Sequence, residues 1–318
     1  MNAMKRAAEP EADREIVVTR LIDAPVERVW RAWTDDSEIV KWWGPHGFSD
    51  ETSSREFKPG GHWRHTMIGP DGTRFSNYAT YKLIEEHKRI VIVNAGSKED
   101  DEEGMGMRTE VTFKAVGGKT ELTLRNVLST AAMRERVVKE FKAVEGGQQT
   151  LSRLNAHVAG QFHMSRLVSA PRERVWRAWS DPKELPRWMG PQGSETTHSD
   201  LDFRVGGSYH YALEFAGVEM WGLTDYKEIV KPEKIVYVQQ FSDKDRGLAT
   251  HPLAPTWPKR MLATILFQDF GPKTLISLYW EALEPTPAER ETFAKGVAGM
   301  NQGWAGTFDR LDALLKEG

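Results

Sequence analysis

Two stretches of this chain are nearly the same text, and that duplication restricts the possible folds more than any other feature. Residues 24–47 read APVERVWRAWTDDSEIVKWWGPHG, and residues 170–193 read APRERVWRAWSDPKELPRWMGPQG. The copies stand 146 residues apart and agree at 15 of 24 positions. Solenoid units repeat every ~20–50 residues, so a period this long marks a duplicated domain. At 318 residues the chain also exceeds what one hydrophobic core usually serves, and the repeat supplies the cut. The boundaries read as an arm over 1–13, a first domain over 14–158 and a second over 161–318.

Composition removes several function classes. A formal net charge of -3 and a pI near 6.3 leave no electrostatic footprint for nucleic acid. The chain has no cysteine, which removes disulfides, thiolate nucleophiles and Cys-ligated metals. The opening MNAMKRAAEPEADRE lacks the apolar run of a signal peptide. No segment approaches the ~18 apolar residues of a membrane span. These features predict a cytoplasmic protein. Residues 1–13 are rich in Ala, Glu and Lys without periodicity, and a disordered arm is expected there.

In the first copy, Glu15–Ile22 is a β-branched run and predicts a strand. Pro25 suits a helix start, and Val26, Val29, Trp30 and Trp33 follow the spacing of one buried helical face. Asp35 with Glu38 predicts a second short helix that Gly44-Pro45 ends. From residue 50 the period changes to two. Strands are expected near 62–68, 74–84, 89–95, 107–116 and 119–127, with turns at Gly69-Pro70-Asp71-Gly72 and Gly117-Gly118. Ala131–Ala156 has a helical composition, and Gly146-Gly147 predicts a kink or a close approach to the sheet.

The second copy repeats this order. Phe203, Gly206, Gly207 and Tyr209 answer Phe57, Gly60, Gly61 and Trp63, and Tyr226 answers Tyr81. The offset grows across Ser242–Lys259, a proline-containing loop that replaces the acidic Lys98–Gly104. The acidic loop reads as a solvated segment, with a lid over the strands it spans as the functional alternative. The last helix is expected to carry Phe293, Val297, Met300, Trp304, Phe308 and Leu311 on one face.

The motifs A-P-x-E-R-V-W-R-A-W, W-x-G-P-x-G and F-x-P/V-G-G-x-W/Y in this order of elements resemble the START-like, helix-grip superfamily. Within it, they most resemble the family named for the C-terminal domain of the activator of the heat-shock-protein-90 ATPase. The family's Gly-Trp in the last helix is present as Gly303-Trp304, where the first copy has Gly146-Gly147. The resemblance implies an α+β fold of two tandem helix-grip domains. Each would be a curved antiparallel sheet wrapped around a long C-terminal helix, with two short helices after the first strand. It also implies a hydrophobic cavity between sheet and helix, the usual form of a small-molecule site.

By strand phase, the first cavity would be lined by Trp63, His65, Met67, Phe75 and Asn77, then by Thr109, Val111, Phe113, Leu122, Leu124 and Asn126. The helix would add Phe141, Val144 and Gln148. In the second domain the candidates are Tyr209, Tyr211, Leu213, Met220, Ala263, Ile265 and Phe267. Ile276, Leu278, Trp280, Met300 and Trp304 complete that set. Plain core packing is the competing reading at each apolar position. The polar residues His65, Asn77 and Asn126 need partners if buried, whether each other, water or a ligand. They make the first cavity the expected seat of specific recognition. Trp30, Trp33, Trp176 and Trp179 read as core, while some of Trp42-Trp43 and Trp188-Met189 are expected half exposed, at a lip of the cavity or at an inter-domain contact.

No catalytic constellation stands out. His62 and His65 fall on opposite strand faces and cannot chelate together, and no HExxH, G-x-S-x-G or phosphate loop occurs. No metal or cofactor is expected. The reading is therefore a protein that binds a hydrophobic or amphipathic small molecule. The alternatives are a cyclase- or hydrolase-like enzyme using His65 on an aromatic or polyketide substrate, and a chaperone-associated interaction protein.

Overall fold

The computed structural model describes residues 11–96 and 106–317. The chain divides into two compact units, Met1–Ala159 and Gly160–Gly318. In the first, a short 3-10 turn over Glu11–Arg14 leads into β1 (Glu15–Ile22). Of the arm expected to be disordered, residues 1–10 lie outside the described residues. Residues 11–13 depart from that expectation, because the Glu11 carboxylate pairs with Arg108 at 2.7 Å and Arg125 at 2.8 Å.

Helix α1 (Val26–Thr34) buries Val29, Trp30, Ala32 and Trp33, one face at helical spacing. Asp35 caps α2 (Asp36–Trp42) by accepting from the Ser37 N–H. Gly44 then turns the chain at φ 104°, a backbone state that penalises any Cβ. Six further strands follow: β2 (Ser49–Arg55), β3 (His62–Ile68), β4 (Arg74–Glu85), β5 (Arg89–Gly96), β6 (Met107–Val116) and β7 (Lys119–Val127). With β1 they form one antiparallel sheet in the order β1-β7-β6-β5-β4-β3-β2. The expected loop Lys98–Gly104 lies outside the described residues.

The expected continuous terminal helix is instead two, α3 (Ala131–Phe141) and α4 (Ala143–Ala159). The break falls at Lys142, which adopts φ 49°, and not at the glycine pair. Gly147 does make the close approach to the sheet, since a Cβ there would sit 3.0 Å from Val18 Cγ2. Arg153 on α4 donates to the carbonyls of Gly44 and Pro45 at 3.0 and 2.9 Å. It thereby satisfies acceptors left open where α2 ends.

The second unit repeats the plan. It runs β8 (Phe162–Val168), α5 (Arg172–Ser180), α6 (Leu185–Trp188), β9 (Glu195–Leu201) and β10 (Ser208–Phe215). β11 (Val218–Val230), β12 (Lys234–Ser242), β13 (Arg260–Phe270) and β14 (Lys273–Ala282) complete its sheet, ordered β8-β14-β13-β12-β11-β10-β9. Helices α7 (Pro287–Lys295) and α8 (Val297–Leu315) meet at Gly296. A Cβ at Gly296 would lie 2.5 Å from Trp257 Cζ3, so the inserted loop packs into the helix break. Phe293, Met300, Phe308 and Leu311 are buried as expected, but Val297 is 39% exposed because it opens α8 beside that break.

Each unit has its own core between sheet and helices. Trp30, Trp33, Trp176 and Trp179 lie inside it. So do Trp42 and Trp188, whose indole N–H groups donate to the Ala32 and Ala178 carbonyls at 3.0 and 2.9 Å. Those backbone acceptors draw both rings inward, while Trp43 and Met189 are the partly buried members of the two pairs. Both units are helix-grip domains of the α+β class. Among the described residues, no helix is long and apolar enough to cross a membrane.

Candidate functional site

A cavity of about 320 Å³ lies in the second domain, bounded by β10, β11 and β12, by α6 and the turn after it, and by α8. Tyr209, Tyr211 and Leu213 reach it from alternate positions of β10, and Thr224 and Tyr226 from β11. Ile235, Tyr237 and Gln239 reach it from β12 by the same period of two. Met300, Gly303, Trp304 and Thr307 of α8 and Trp280 of β14 line another side. Trp179, Leu185, Met189, Gly190 and Pro191 close the end beneath the short helices, and His251 comes from the inserted loop.

Tyrosines and tryptophans supply seven of the 19 residues that line the cavity. Tyr209 and Tyr211 stack at 4.9 Å, and Trp280 meets Trp304 edge to face at 6.0 Å. Tyr211 can lie flat on β11 because its cross-strand partner is Gly222, where a Cβ would fall 2.4 Å from the Tyr211 Cζ. The Tyr211 hydroxyl accepts from Gln239 Nε2 at 2.8 Å. Burial pushes the phenols of Tyr211, Tyr226 and Tyr237 well above their ordinary value, so each stays neutral and carries its proton. His251 Nδ1 accepts from the Leu253 N–H at 3.0 Å, which assigns the ring proton of the neutral imidazole to Nε2. Burial lowers the His251 pKa and so favours that neutral form.

Of the residues expected to line this cavity, Tyr209, Tyr211, Leu213, Trp280, Met300 and Trp304 do so. Ala263, Ile265, Phe267, Ile276 and Leu278 instead fill the core, where Phe267 meets Trp176 and Trp179 edge to face at 5.5 Å each. The strands β13 and β14 lie under the short helices, whose tryptophans occupy the space in front of them. Met220 is not among the lining residues, being near the hairpin end of β11. The whole contribution of β12 was illegible, because Ile235, Val236, Tyr237 and Val238 are apolar in both phases. The usable signal was the alternation Tyr237-Gln239 beside Tyr226, a polar tip repeated on one face.

In the first domain the expected residues are distributed differently. Trp63, Val111, Phe113, Leu122 and Leu124 are core. Phe75 is 44% exposed beside its hairpin turn and Phe141 is 63% exposed at the end of α3, so neither faces an interior. Gln148 is likewise exposed, whereas Met67 and Val144 are half-buried. The polar residues are satisfied within the domain. His65 Nδ1 pairs with the buried Asp50 carboxylate at 2.5 Å, its ring stacked on Trp63 at 4.0 Å. Thr109 donates to Asn126 Oδ1 at 2.7 Å and accepts from Asn94 Nδ2 at 3.1 Å. Asn77 donates to the Phe75 carbonyl at 2.8 Å. Protein atoms thus supply the partners that these groups need. His62 points the other way, onto Ser54 Oγ at 2.7 Å. Among the described residues, no group of three or more His, Asp or Glu could hold a metal ion.

The family model described as Activator of Hsp90 ATPase homolog 1-like protein matches residues 23–159 and again residues 169–316. No curated protein matches the chain. Among solved structures, the chain is similar to a protein of Nitrosomonas europaea at 23% identity and a TM-score of 0.43, over 46% of this chain and 96% of the other. A Mycobacterium smegmatis protein is similar at 22% identity and 0.43, over 47% and 94%. The AHSA1 protein of Silicibacter pomeroyi is similar at 17% identity and 0.39, over 49% and 97%. With the family model matched twice and both copies folded alike, the chain belongs to the Activator of Hsp90 ATPase homolog 1-like family, as a tandem of two of its domains.

Proposed function

We propose that the protein binds a small hydrophobic or amphipathic molecule, and that the second-domain cavity is the site. The observation that carries this reading is the cavity itself, about 320 Å³ of aromatic-walled space with a few polar tips. Ligand pockets have volumes of roughly 300–1,000 Å³ and the same mixture of apolar wall and sparse polar groups. A core packed to ordinary density leaves few voids larger than a water, and such a space supports the reading. The partner is then a small apolar molecule, encountered in the cytoplasm.

The test is native mass spectrometry of freshly purified full-length protein, followed by extraction into organic solvent. A bound species released by extraction, together with saturable quenching of the tryptophans by an apolar probe, is the expected result. Protein that carries nothing and quenches only linearly with every probe would sink the reading.

Family membership supports a second reading, association with the heat-shock-protein-90 chaperone. Co-sedimentation of the full chain with that chaperone tests it, and absence of a complex at micromolar concentration rejects it. An enzymatic role for His65 has weaker support, since its Nδ1 is occupied by Asp50 and one ring face by Trp63.

A further inference from the structure

The two domains place a tyrosine at the same register position and treat its hydroxyl differently. In the first, Tyr81 sits opposite Ile92, and Arg55 Nε donates to the Tyr81 hydroxyl at 2.8 Å. In the second, Tyr226 sits opposite Tyr237. The counterpart of Arg55 there is Leu201, which pairs with Tyr209 as Arg55 pairs with Trp63, and which has no donor to offer. Among the described residues, neither the Tyr226 nor the Tyr237 hydroxyl has a hydrogen-bond partner, although both residues are buried and line the cavity. Both residues line the cavity, so the partner left to each O–H is whatever occupies that space.

The neighbouring polar groups point to the same chemistry. Tyr211 accepts from Gln239, which leaves its own O–H free to donate, and His251 Nε2–H is a further donor on the wall. Among the described residues, no Asp, Glu, Lys or Arg lines the cavity. An ionised ligand would lose its hydration there without meeting a counter-charge. The flat walls of Trp280, Trp304 and Tyr209 suit an aromatic body.

We infer that the second-domain cavity selects an uncharged aromatic molecule bearing a carbonyl-type acceptor oxygen, and that the hydroxyls of Tyr226 and Tyr237 are the donors that read it. This rests on the binding function proposed above and adds the chemistry that is recognised.

Calorimetric titration of the full chain with three molecules of one shape tests this: 2-acetonaphthone, 2-ethylnaphthalene and 2-naphthoate. The ketone should bind about tenfold more tightly than the hydrocarbon, the factor that one net hydrogen bond supplies. The carboxylate should bind least. In the Tyr226→Phe/Tyr237→Phe variant the ketone should fall to the level of the hydrocarbon, whose unchanged affinity reports an intact cavity. Equal binding of ketone and hydrocarbon, tightest binding of the carboxylate, or a ketone preference that survives in the double variant overturns the selection and leaves the binding function standing. Failure of all three molecules to bind the unaltered protein overturns both.

Discussion

In the first domain the Nε of Arg55 lies 2.8 Å from the Tyr81 hydroxyl, and the same buried guanidinium donates to the carbonyls of Trp33 and Thr34 and to Asp36. One side chain thus joins β2 and β4 to the end of α1. Arg55→Leu, which installs the residue of the second copy, strands two backbone carbonyls and a phenol. A loss of about 2–4 kcal/mol is expected in urea denaturation. Arg55→Lys should recover little, because a single ammonium cannot reproduce the planar fork. Full stability in the lysine variant would show that charge alone suffices.

Tyr211 and Gly222 are a matched pair across β10 and β11. A methyl group at Gly222 falls 2.4 Å from the Tyr211 Cζ, so Gly222→Ala must lift the ring and break its bond with Gln239. The expected cost is about 1–3 kcal/mol, typical of overpacking. In a Tyr211→Ala background that cost should vanish, and a double-mutant cycle measures the coupling. Additive effects would contradict the contact.

Gly303 borders the cavity on α8, and a Cβ built there meets no atom within 4 Å. Gly303→Leu should fill part of the space and abolish probe binding. It should also raise thermal stability, since replacing a mid-helix glycine is worth up to about 1 kcal/mol. Loss of binding with a higher melting temperature separates occlusion from unfolding. Retained binding would place the occupied space elsewhere.

His46 is buried beside the turn that Arg153 clamps, its backbone N–H donating to Gln149 Oε1 at 3.1 Å. Burial, with the Arg153 and Arg20 charges adding to it, lowers its pKa from 6.5 to about 4. As pH falls, the unfolded chain takes up this proton first. The contribution is therefore fully present above about pH 6.5, declines between there and about pH 4, and falls no further below. The total is on the order of 3 kcal/mol. His46→Gln, the residue the second copy has as Gln192, should remove that slope from the pH dependence of denaturation midpoints. An unchanged slope would assign it to other groups.

Much of the fold was legible because its signals are local. The period-three spacing of Trp30 and Trp33 and the Gly117-Gly118 turn each reflect a backbone choice made within a few residues. Helix continuity was less so. The break at Lys142 needs a left-handed lysine that no propensity favours, whereas of the kink or close approach expected at Gly146-Gly147, Gly147 makes the close approach, to Val18. The site was legible only in part. The phase of β10 identified Tyr209, Tyr211 and Leu213, but β12 is apolar in both phases and His251 comes from an insertion.

The opening repeat, by itself, determined two domains of one family and the order of elements in each. Duplication of a pattern is preserved wherever each copy builds the same backbone. How each copy fills the space between its sheet and helices was decided only in three dimensions. Arg55 and Leu201 occupy the same register, yet Arg55 reaches the Tyr81 hydroxyl while Leu201 leaves that of Tyr226 without a partner. Gly147 lies against Val18 where Trp304 walls a cavity. Cavity volume is the small difference between the space a sheet encloses and the side chains that fill it, and those side chains come from strands far apart in the chain.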